Sequence, residues 1–310
     1  MVILVVGAGS IGRRHADNLI ALGEATELIA WRDYNRALLE KRLDIKGLVI
    51  ATATQIRLEL VDLCAAKGWP FYVEKPLHWT ADGVAEIYDV AGNLARRSML
   101  GFMARYHPVV QALAADDLTD IFRFTFEIGH DVRQWRQNWS FPDSYAAQAD
   151  GGGVLLDLCH ELDLACTLFP DLSVLSVASI SHADFTGVDF ASCIALTDSG
   201  GRTGTVAVDY LSPVELRRSE FAGTNSSRSI NMITATITRD DGNKVDVQNF
   251  KYNRNDMFRA ITRDWLALIN DESAPLTPLA PRLSDMRGSC DLIADAWGKR
   301  QFTGMAKVAF

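Results

Sequence analysis

Apolar residues in the first hundred positions occur in short runs of strand length that alternate with patterns of helical period. The predicted strands span residues 2–6, 27–31, 47–51, 71–73 and 99–102, and the predicted helices between them span residues 13–22, 56–67 and 81–95. Alternation of this kind is typical of a doubly wound parallel sheet. Ligands bind to such sheets beyond the carboxyl ends of the strands, so the segments that follow these strands are candidates for a site.

After residue 120 the pattern changes to longer strand-like runs. The predicted strands span residues 121–128, 174–180, 191–196, 203–210, 228–238 and 244–249. Turn-forming residues separate several of them, as in Asp198-Ser-Gly-Gly and Asp240-Asp-Gly-Asn. This pattern predicts an open, mostly antiparallel sheet with helices on one face. We therefore expect two domains, an α/β domain over residues 1–120 and an α+β domain over residues 121–310.

A glycine-rich turn, Gly7-Ala-Gly9-Ser10-Ile11-Gly12, lies between the first predicted strand and the first predicted helix. In this context Gly7 permits a tight turn, Gly9 lets a pyrophosphate approach the backbone, and Gly12 allows close packing of helix on strand. The helix N-terminus offers N–H groups to an anion. The alternative is a turn that binds nothing. We interpret the first domain as a Rossmann dinucleotide-binding domain, with the cofactor held by residues 7 and 9–12.

The end of the second predicted strand bears on which dinucleotide is bound. Arg32 and Asp33 lie about 20 residues after Gly12, where a side chain normally contacts the adenosine ribose. A carboxylate there favours NAD, whereas a guanidinium favours the 2′-phosphate of NADP. The two residues give opposite indications. We expect NAD or NADP, with a slight preference for NADP, and the alternative is that Arg32 is a solvated loop residue.

Composition and charge exclude several other classes of function. Hydrophobic residues make up 48% of the 310 positions, which is enough for two cores, and the net charge of −8 argues against a nucleic-acid partner. The five cysteines have no Cys-x-x-Cys spacing, so we expect reduced, buried thiols and no metal site. The apolar N-terminus has no basic leader and breaks at Gly7, so we expect neither a signal peptide nor a membrane span, and a cytoplasmic location.

Three segments follow strands of the predicted parallel sheet and contain candidate ligand-binding residues. They are Ala51-Thr52-Ala53-Thr54, Glu74-Lys75-Pro76 and Gly101-Phe-Met-Ala-Arg105-Tyr106. Lys75 is of most interest, because a lysine at a strand end can orient a substrate hydroxyl without any shift of its pKa. The alternative is a surface ion pair between Lys75 and Glu74.

A helix predicted after Gly151-Gly-Gly has one apolar and one ionisable face. At about 100° per residue its apolar face consists of Leu155, Leu158, Leu162, Ala165 and Cys166. Its ionisable face consists of Asp157, His160, Glu161 and Asp163. By itself such a face is more often solvent-exposed than catalytic. A preceding aromatic and polar segment that includes Trp135 and Tyr145 suits stacking on a sugar ring, or alternatively anchors a long loop.

With these motifs in place, the chain resembles the glucose-fructose oxidoreductase, inositol dehydrogenase and MocA family along nearly its whole length. The resemblance is carried by the glycine turn with its following Arg-Arg-His-Ala-Asp-Asn-Leu, by Glu74-Lys75-Pro76-Leu, by Gly101-Phe-Met-Ala-Arg105-Tyr-His-Pro, and by Gly151-Gly-Gly-Val-Leu-Leu-Asp157-Leu-Cys-His160-Glu-Leu-Asp163. Members of that family exchange hydride between a nicotinamide and a carbon of a sugar, cyclitol or sugar nucleotide. The resemblance also implies homodimers or homotetramers.

The resemblance assigns roles to individual residues. It makes Lys75 the lysine beside the nicotinamide and the reacting hydroxyl, with a cis bond before Pro76, and His160 the residue that exchanges the hydroxyl proton. Asp157 or Asp163 would support the imidazole, and we expect Asp157 and His160, with Arg105, Trp135 and Tyr145, to contact the substrate.

Two departures from the family pattern affect these assignments. Ala53 and Arg57 stand where relatives commonly have proline and a nearby histidine, and Asp157 lies three rather than four residues before His160.

Two other functions remain open from the residues and the resemblance. Similar folds include transcriptional regulators that bind a dinucleotide without turnover, so a sensor is the main alternative to an enzyme. The retention of Lys75 and His160 favours the enzyme. A biliverdin-type reductase is a third possibility, although its chemistry does not need the His160 helix.

Overall fold

The computed structural model describes residues 1–134 and 140–308. The chain forms two compact units, one of Met1–Tyr106 and Asn253–Cys290 and the other of His107–Tyr252 and Asp291–Phe310. The sequence predicts a single boundary near residue 120. It does not predict that the chain returns to the first unit after residue 252.

The first unit contains a five-stranded sheet in which every neighbouring pair is parallel. Its strands are β1 (Val2–Val6), β2 (Thr26–Ile29), β3 (Ile45–Ile50), β4 (Phe71–Val73) and β5 (Met99–Leu100), in the order β2-β1-β3-β4-β5. The helices that alternate with them are α1 (Ser10–Ala21), α2 (Arg36–Leu39), α3 (Arg57–Lys67) and α4 (Ala81–Ala91). The central strands are buried, which explains their continuous apolar sequence. The predicted doubly wound parallel sheet is confirmed.

A long helix from the later part of the chain completes the first unit. This helix, α8 (Arg254–Asn270), packs against α1, and the amides of Asn18 and Asn255 hydrogen-bond to each other. Trp265 is fully buried, with its ring edge against Tyr72. An added Cβ on Gly47 would lie only 3.2 Å from the Trp265 ring, so the glycine makes room for the indole.

The second unit contains a nine-stranded sheet. Its strands are β6 (Ile121–Gly129), β7 (Ser173–His182), β8 (Ala191–Thr197), β9 (Thr203–Asp209), β10 (Leu216–Gly223), β11 (Ser227–Asn231), β12 (Thr236–Asp240), β13 (Val245–Asn249) and β14 (Arg300–Ala306). Their order is β13-β12-β11-β10-β6-β9-β8-β7-β14. Only the β6–β9 and β7–β14 pairs are parallel within the described sheet, so the predicted mostly antiparallel sheet is confirmed.

The helices associated with the second unit are α5 (Pro108–Ala114), α6 (Val154–Asp157) and α7 (His160–Leu168), and α9 (Arg287–Gly298) leads into β14. α7 packs against β6 and β9 of the sheet and against α5. Among the described residues, every helix is too short or too polar to cross a bilayer.

Three details of the second unit differ from the sequence-based expectations. The strand predicted over residues 228–238 is two strands, because the chain reverses at residues 232–235, where Ala235 has a φ of 53°. The single helix predicted after Gly153 is interrupted between Asp157 and His160. The five cysteines are not all buried, since Cys193 is exposed on β8.

Replacement of Trp265 by alanine tests the contribution of α8 to the first unit. We expect Trp265→Ala to lower the free energy of unfolding by about 3–5 kcal/mol, because it removes a large buried ring and leaves a cavity. Arg263→Ala on the exposed side of the same helix should change it by less than about 0.5 kcal/mol. Urea unfolding of both variants measures the difference, and equal losses would contradict this packing.

Candidate active site

The glycine turn between β1 and α1 is shaped by close backbone contacts. Gly7 has a φ of 111°, and a Cβ there would lie 2.3 Å from the carbonyl oxygen of Ala51. A Cβ on Gly12 would lie 1.7 Å from the carbonyl oxygen of Gly7. Any larger residue would push α1 away from the strand ends, so packing alone requires glycine at both positions.

Gly9 has a different environment from the other two glycines. Its φ is −71°, and a Cβ built on it would meet no described atom within 4 Å. Gly9 is the N-cap of α1 and has no side chain that could cap the helix, and Ser10 at the first helical position is exposed while Ile11 is partly exposed. The backbone N–H groups at this end of α1 are therefore accessible to an anionic ligand.

The end of β3 lies beside the glycine turn. The N–H of Ala51 donates to the carbonyl of Val6, and Thr52 follows directly. The buried Thr52 hydroxyl has no hydrogen-bond partner within the described part of the chain. A buried hydroxyl without a partner and an accessible backbone at Gly9 are both consistent with a dinucleotide bound along this edge of the sheet.

Arg32 and Asp33 lie in a short 3₁₀ turn after β2. Both side chains are exposed, at 86% and 66%, and their nearest charged atoms are 3.8 Å apart. The exposed guanidinium has room to meet a phosphate, and the exposed carboxylate has room to meet a ribose hydroxyl. The position of these side chains therefore does not select one cofactor.

Glu74, at the end of β4, forms a buried pair with α1. Its Oε1 lies 2.7 Å from Nε2 of His15, and both side chains are at least nine-tenths buried. Burial alone would raise the pKa of Glu74, but the hydrogen bond and charge of His15, together with the charges of Lys75 and Arg57, outweigh it and lower that pKa. Because Glu74 is buried, any interaction of its carboxylate with Lys75 lies below the surface.

Lys75 follows Glu74 and is half-buried. Its bond to Pro76 is cis, as the family resemblance implied. The carbonyl oxygen of Lys75 accepts a hydrogen bond of 3.1 Å from Nη2 of Arg57, which also donates to the carbonyl of Thr52 at 3.3 Å. The first unit thus brings together the strand ends that contain Thr52, Glu74 and Lys75.

Arg105 lies in a 3₁₀ turn after β5, where its Nη2 is 3.3 Å from the hydroxyl of Ser289. Its predicted contact with substrate stays a prediction. Trp135, the other aromatic candidate, lies outside the described residues.

Asp157 ends α6 in the second unit and accepts two hydrogen bonds from tyrosines. Tyr145 donates to Oδ1 at 2.7 Å, and Tyr210 donates to Oδ2 at 3.0 Å. Tyr145 is exposed, whereas Tyr210 is buried, and its burial and the nearby Asp157 charge raise its pKa well above the usual value. Sequence reasoning singled out Tyr145 but missed Tyr210, which follows β9 with no motif around it.

His160 begins α7, whose ionisable side chains are buried rather than exposed. His160 is 8% exposed, Glu161 2% and Asp163 0%. These side chains are therefore not solvent-exposed, although periodicity alone would favour exposure, because α5 and strands β6 and β9 pack against this helix. The buried charge of Glu161 is compensated by Arg217 of β10. The Nε of Arg217 lies 2.5 Å from Oε1 of Glu161.

Gly153, directly before α6, lies against Asp189. Gly153 has a φ of 93°, and a Cβ there would lie 2.0 Å from Oδ1 of Asp189. The buried Asp189 carboxylate accepts from the Leu155 N–H at 2.9 Å and pairs with Arg300 of β14. Asp189 therefore caps α6 and sets the direction in which the chain approaches Asp157. No motif in the sequence indicated this role of Asp189.

Comparison with known proteins identifies relatives of this chain. Residues 106–228 match the family model described as the GFO/IDH/MocA C-terminal domain. The rhizopine catabolism protein MocA of Rhizobium meliloti is 25% identical over 177 residues, which cover 51% of this chain and 54% of that protein. Inositol 2-dehydrogenase of Rhizobium meliloti (strain 1021) is 27% identical over 223 residues, which cover 63% and 65%. These matches confirm the predicted resemblance.

Two solved structures have the same fold over nearly their whole length. A 3-ketoreductase from Actinomadura kijaniata, in complex with NADP and TDP-benzene, has a TM-score of 0.79 at 16% identity and covers 99% of each chain. A levoglucosan dehydrogenase in complex with NADH and levoglucosan has a TM-score of 0.78 at 15% identity, with 96% and 98% covered. At these identities the likeness establishes the fold.

The pair formed by His15 and Glu74 gives a pH-dependent prediction. We expect Glu74→Gln to lower the free energy of unfolding by about 1–3 kcal/mol at pH 7, because the buried charge-assisted bond is lost. The pKa of Glu74 is lowered in the folded state from 4.5, so its stabilisation is present above about pH 4.5 and disappears as the pH falls through the folded value. The wild type and the variant should therefore converge in acid.

Urea unfolding at several pH values between 7 and 3 measures this convergence. Glu40→Gln, which removes the carboxylate of an exposed pair with Arg36, is the matched control and should cost less than about 1 kcal/mol at pH 7. A constant difference between Glu74→Gln and the wild type across this range would contradict the assignment.

Proposed function

We propose that this protein, whose residues 106–228 match the GFO/IDH/MocA C-terminal domain, is an NAD(P)-dependent oxidoreductase. It would transfer a hydride between the nicotinamide and a secondary alcohol or ketone of a sugar, cyclitol or sugar nucleotide. The main support for the proposal is the arrangement of residues at one edge of the parallel sheet. The backbone is open at Gly9 there, and Arg57 joins the segments after β3 and β4 that contain Thr52 and Lys75. The relatives named as dehydrogenases and reductases support it.

The cofactor would be held by the first unit. The glycine turn, Ser10 and Ile11 would meet the pyrophosphate at the start of α1, and the hydroxyl of Thr52 would gain a partner. A bound nicotinamide supplies hydride exchange at its C4 position. We propose a slight preference for NADP, in which the exposed guanidinium of Arg32 would hold the 2′-phosphate beside the end of β2.

The protein's own residues would manage the proton of the substrate hydroxyl. We assign Lys75 to a hydrogen bond with the reacting oxygen and His160 to the exchange of the hydroxyl proton. Asp157, which two tyrosines hold, or Asp163 would stabilise the imidazolium. Arg105, Trp135 and Tyr145 would contact the rest of the substrate. These roles follow from the family resemblance, as does a proposed homodimer or homotetramer.

Gly9→Ala tests dinucleotide binding separately from folding. Alanine fits the φ of Gly9, and the added methyl meets no described atom within 4 Å, so the melting temperature should stay unchanged. The methyl would project towards the pyrophosphate, and we expect the Kd for NADH and NADPH to rise at least tenfold. Fluorescence titration measures the Kd of each cofactor.

Two other glycines provide controls for this experiment. Gly298→Ala also adds a methyl in open space and should leave both binding and stability unchanged. Gly12→Ala should destabilise the protein, since its methyl would overlap the Gly7 carbonyl. Unaltered cofactor binding by Gly9→Ala, or no binding by the wild type, would contradict the proposed cofactor site.

Lys75→Ala tests the chemical step. With sugars, cyclitols and sugar nucleotides as candidate substrates, the absorbance of the reduced cofactor reports turnover. We expect the variant to lose at least about 100-fold in kcat, because the reacting hydroxyl is no longer oriented, while the Kd of the cofactor changes less than about threefold. Lys41→Ala, at an exposed position, should behave as the wild type. Retention of turnover by Lys75→Ala would refute the role of this lysine.

A further inference from the structure

We infer that Arg57 is a positioning residue that holds the strand ends of Thr52 and Lys75 in the arrangement needed for turnover. The inference rests on the proposed function, since it concerns the same edge of the parallel sheet. Arg57 was noted in the sequence only as a departure from the histidine common in relatives, and no role followed from it.

The hydrogen bonds of Arg57 join two segments that are distant in sequence. Arg57 is the first residue of α3, and only 4% of it is exposed. Its Nη2 donates to the carbonyl oxygen of Thr52 at 3.3 Å and to that of Lys75 at 3.1 Å. One guanidinium nitrogen therefore ties the end of β3 to the end of β4. The positions of the Thr52 and Lys75 carbonyl groups therefore both depend on the position of this guanidinium.

Both residues held by Arg57 belong to the proposed cofactor and substrate edge. Thr52 carries a buried hydroxyl with no partner in the described residues, and Lys75 is the proposed hydrogen-bond donor to the reacting oxygen. Arg57 holds their main chains, and so it acts on the reaction through them. A misplacement of about 1 Å in such a group is enough to cost 100-fold in rate.

The charge of Arg57 also acts on the residues around Lys75. It contributes to the lowered pKa of Glu74, in addition to the larger effect of His15. It also adds to burial in lowering the pKa of His78, three residues after Lys75. A buried guanidinium with this reach is costly to place in a protein interior unless nearby groups compensate it. The carbonyl oxygens of Thr52 and Lys75 offset part of this cost, and the Glu74 carboxylate interacts favourably with the Arg57 charge.

The shape of the arginine side chain is necessary for this role. A planar guanidinium presents several N–H groups in fixed directions, so it can meet two carbonyls from one rigid group. A lysine has the same charge, but its ammonium lies on a flexible stem and does not keep the two carbonyls at a set separation. Arg57→Lys therefore separates the effect of geometry from the effect of charge.

The experiment compares Arg57→Lys and Arg57→Met with the wild type in thermal stability, dinucleotide Kd and kcat at saturating cofactor and substrate. We expect Arg57→Lys to fold and to lose at least about tenfold in kcat, and Arg57→Met to lose more. The side chain of Arg36, which binds Glu40 and Asp62 at the surface, offers the matched control, and Arg36→Lys should keep the wild-type kcat.

A second readout does not depend on activity. After reductive methylation with ¹³C-formaldehyde, the dimethyl resonance of Lys75 can be assigned by its disappearance in Lys75→Ala. We expect this resonance to shift in Arg57→Lys and not in Arg36→Lys, because Arg57 hydrogen-bonds to the Lys75 main chain, whereas Arg36 binds Glu40 and Asp62. This measurement also applies if Arg57→Met does not fold.

The possible outcomes separate the inference from the proposed function. A lower melting temperature with unchanged kcat and an unshifted Lys75 resonance in Arg57→Lys would overturn the inference and leave Arg57 a purely structural residue. A wild-type protein without dinucleotide binding or turnover would instead overturn the proposed function. In that case an unshifted Lys75 resonance would also overturn the positioning role, and a shifted one would support it.

Discussion

The close approach of α1 to the strand ends is the constraint on which the first unit depends. Gly12 lies against the carbonyl of Gly7, and Gly7 against that of Ala51, so the start of α1 sits directly over β1 and β3. One turn further along the helix, His15 reaches the buried Glu74 at the end of β4. These contacts fix the anion-binding end of α1 and the segment of Lys75 in one rigid frame. The same contacts would therefore position both the proposed cofactor-binding turn and the proposed catalytic lysine.

Much of this frame could be predicted from sequence, because its signals are local. Alternating apolar runs predicted the parallel sheet, and the glycine spacing predicted the turn at Gly7. The packing of the Trp265 helix in the first unit was not predicted, since its partners on α1 and β4 lie some two hundred residues earlier. The roles of Arg57 and Asp189 were missed for the same reason, because each holds backbone groups that only the folded chain brings near.

The helix of His160 shows where periodicity misleads. Its charged residues fall on one side, which by pattern alone indicates a solvent-exposed face. In the folded unit that side is covered, and Arg217 from a strand more than fifty residues later compensates Glu161. A buried ion pair of this kind cannot be read from one helix, since the compensating charge belongs to another element. The same holds for Asp157, whose second tyrosine partner, Tyr210, follows β9.

The return of residues 253–290 to the first unit affects how the protein is made. The strands of the parallel sheet leave the ribosome early, but the helix that covers Tyr72 follows only after the whole of residues 107–252. At 5–20 residues per second, this delay is about 7–30 s. During that time apolar surface of the nascent sheet stays exposed to solvent and to other chains. The late helix thus creates a period of aggregation risk in which a chaperone would have its largest effect on yield.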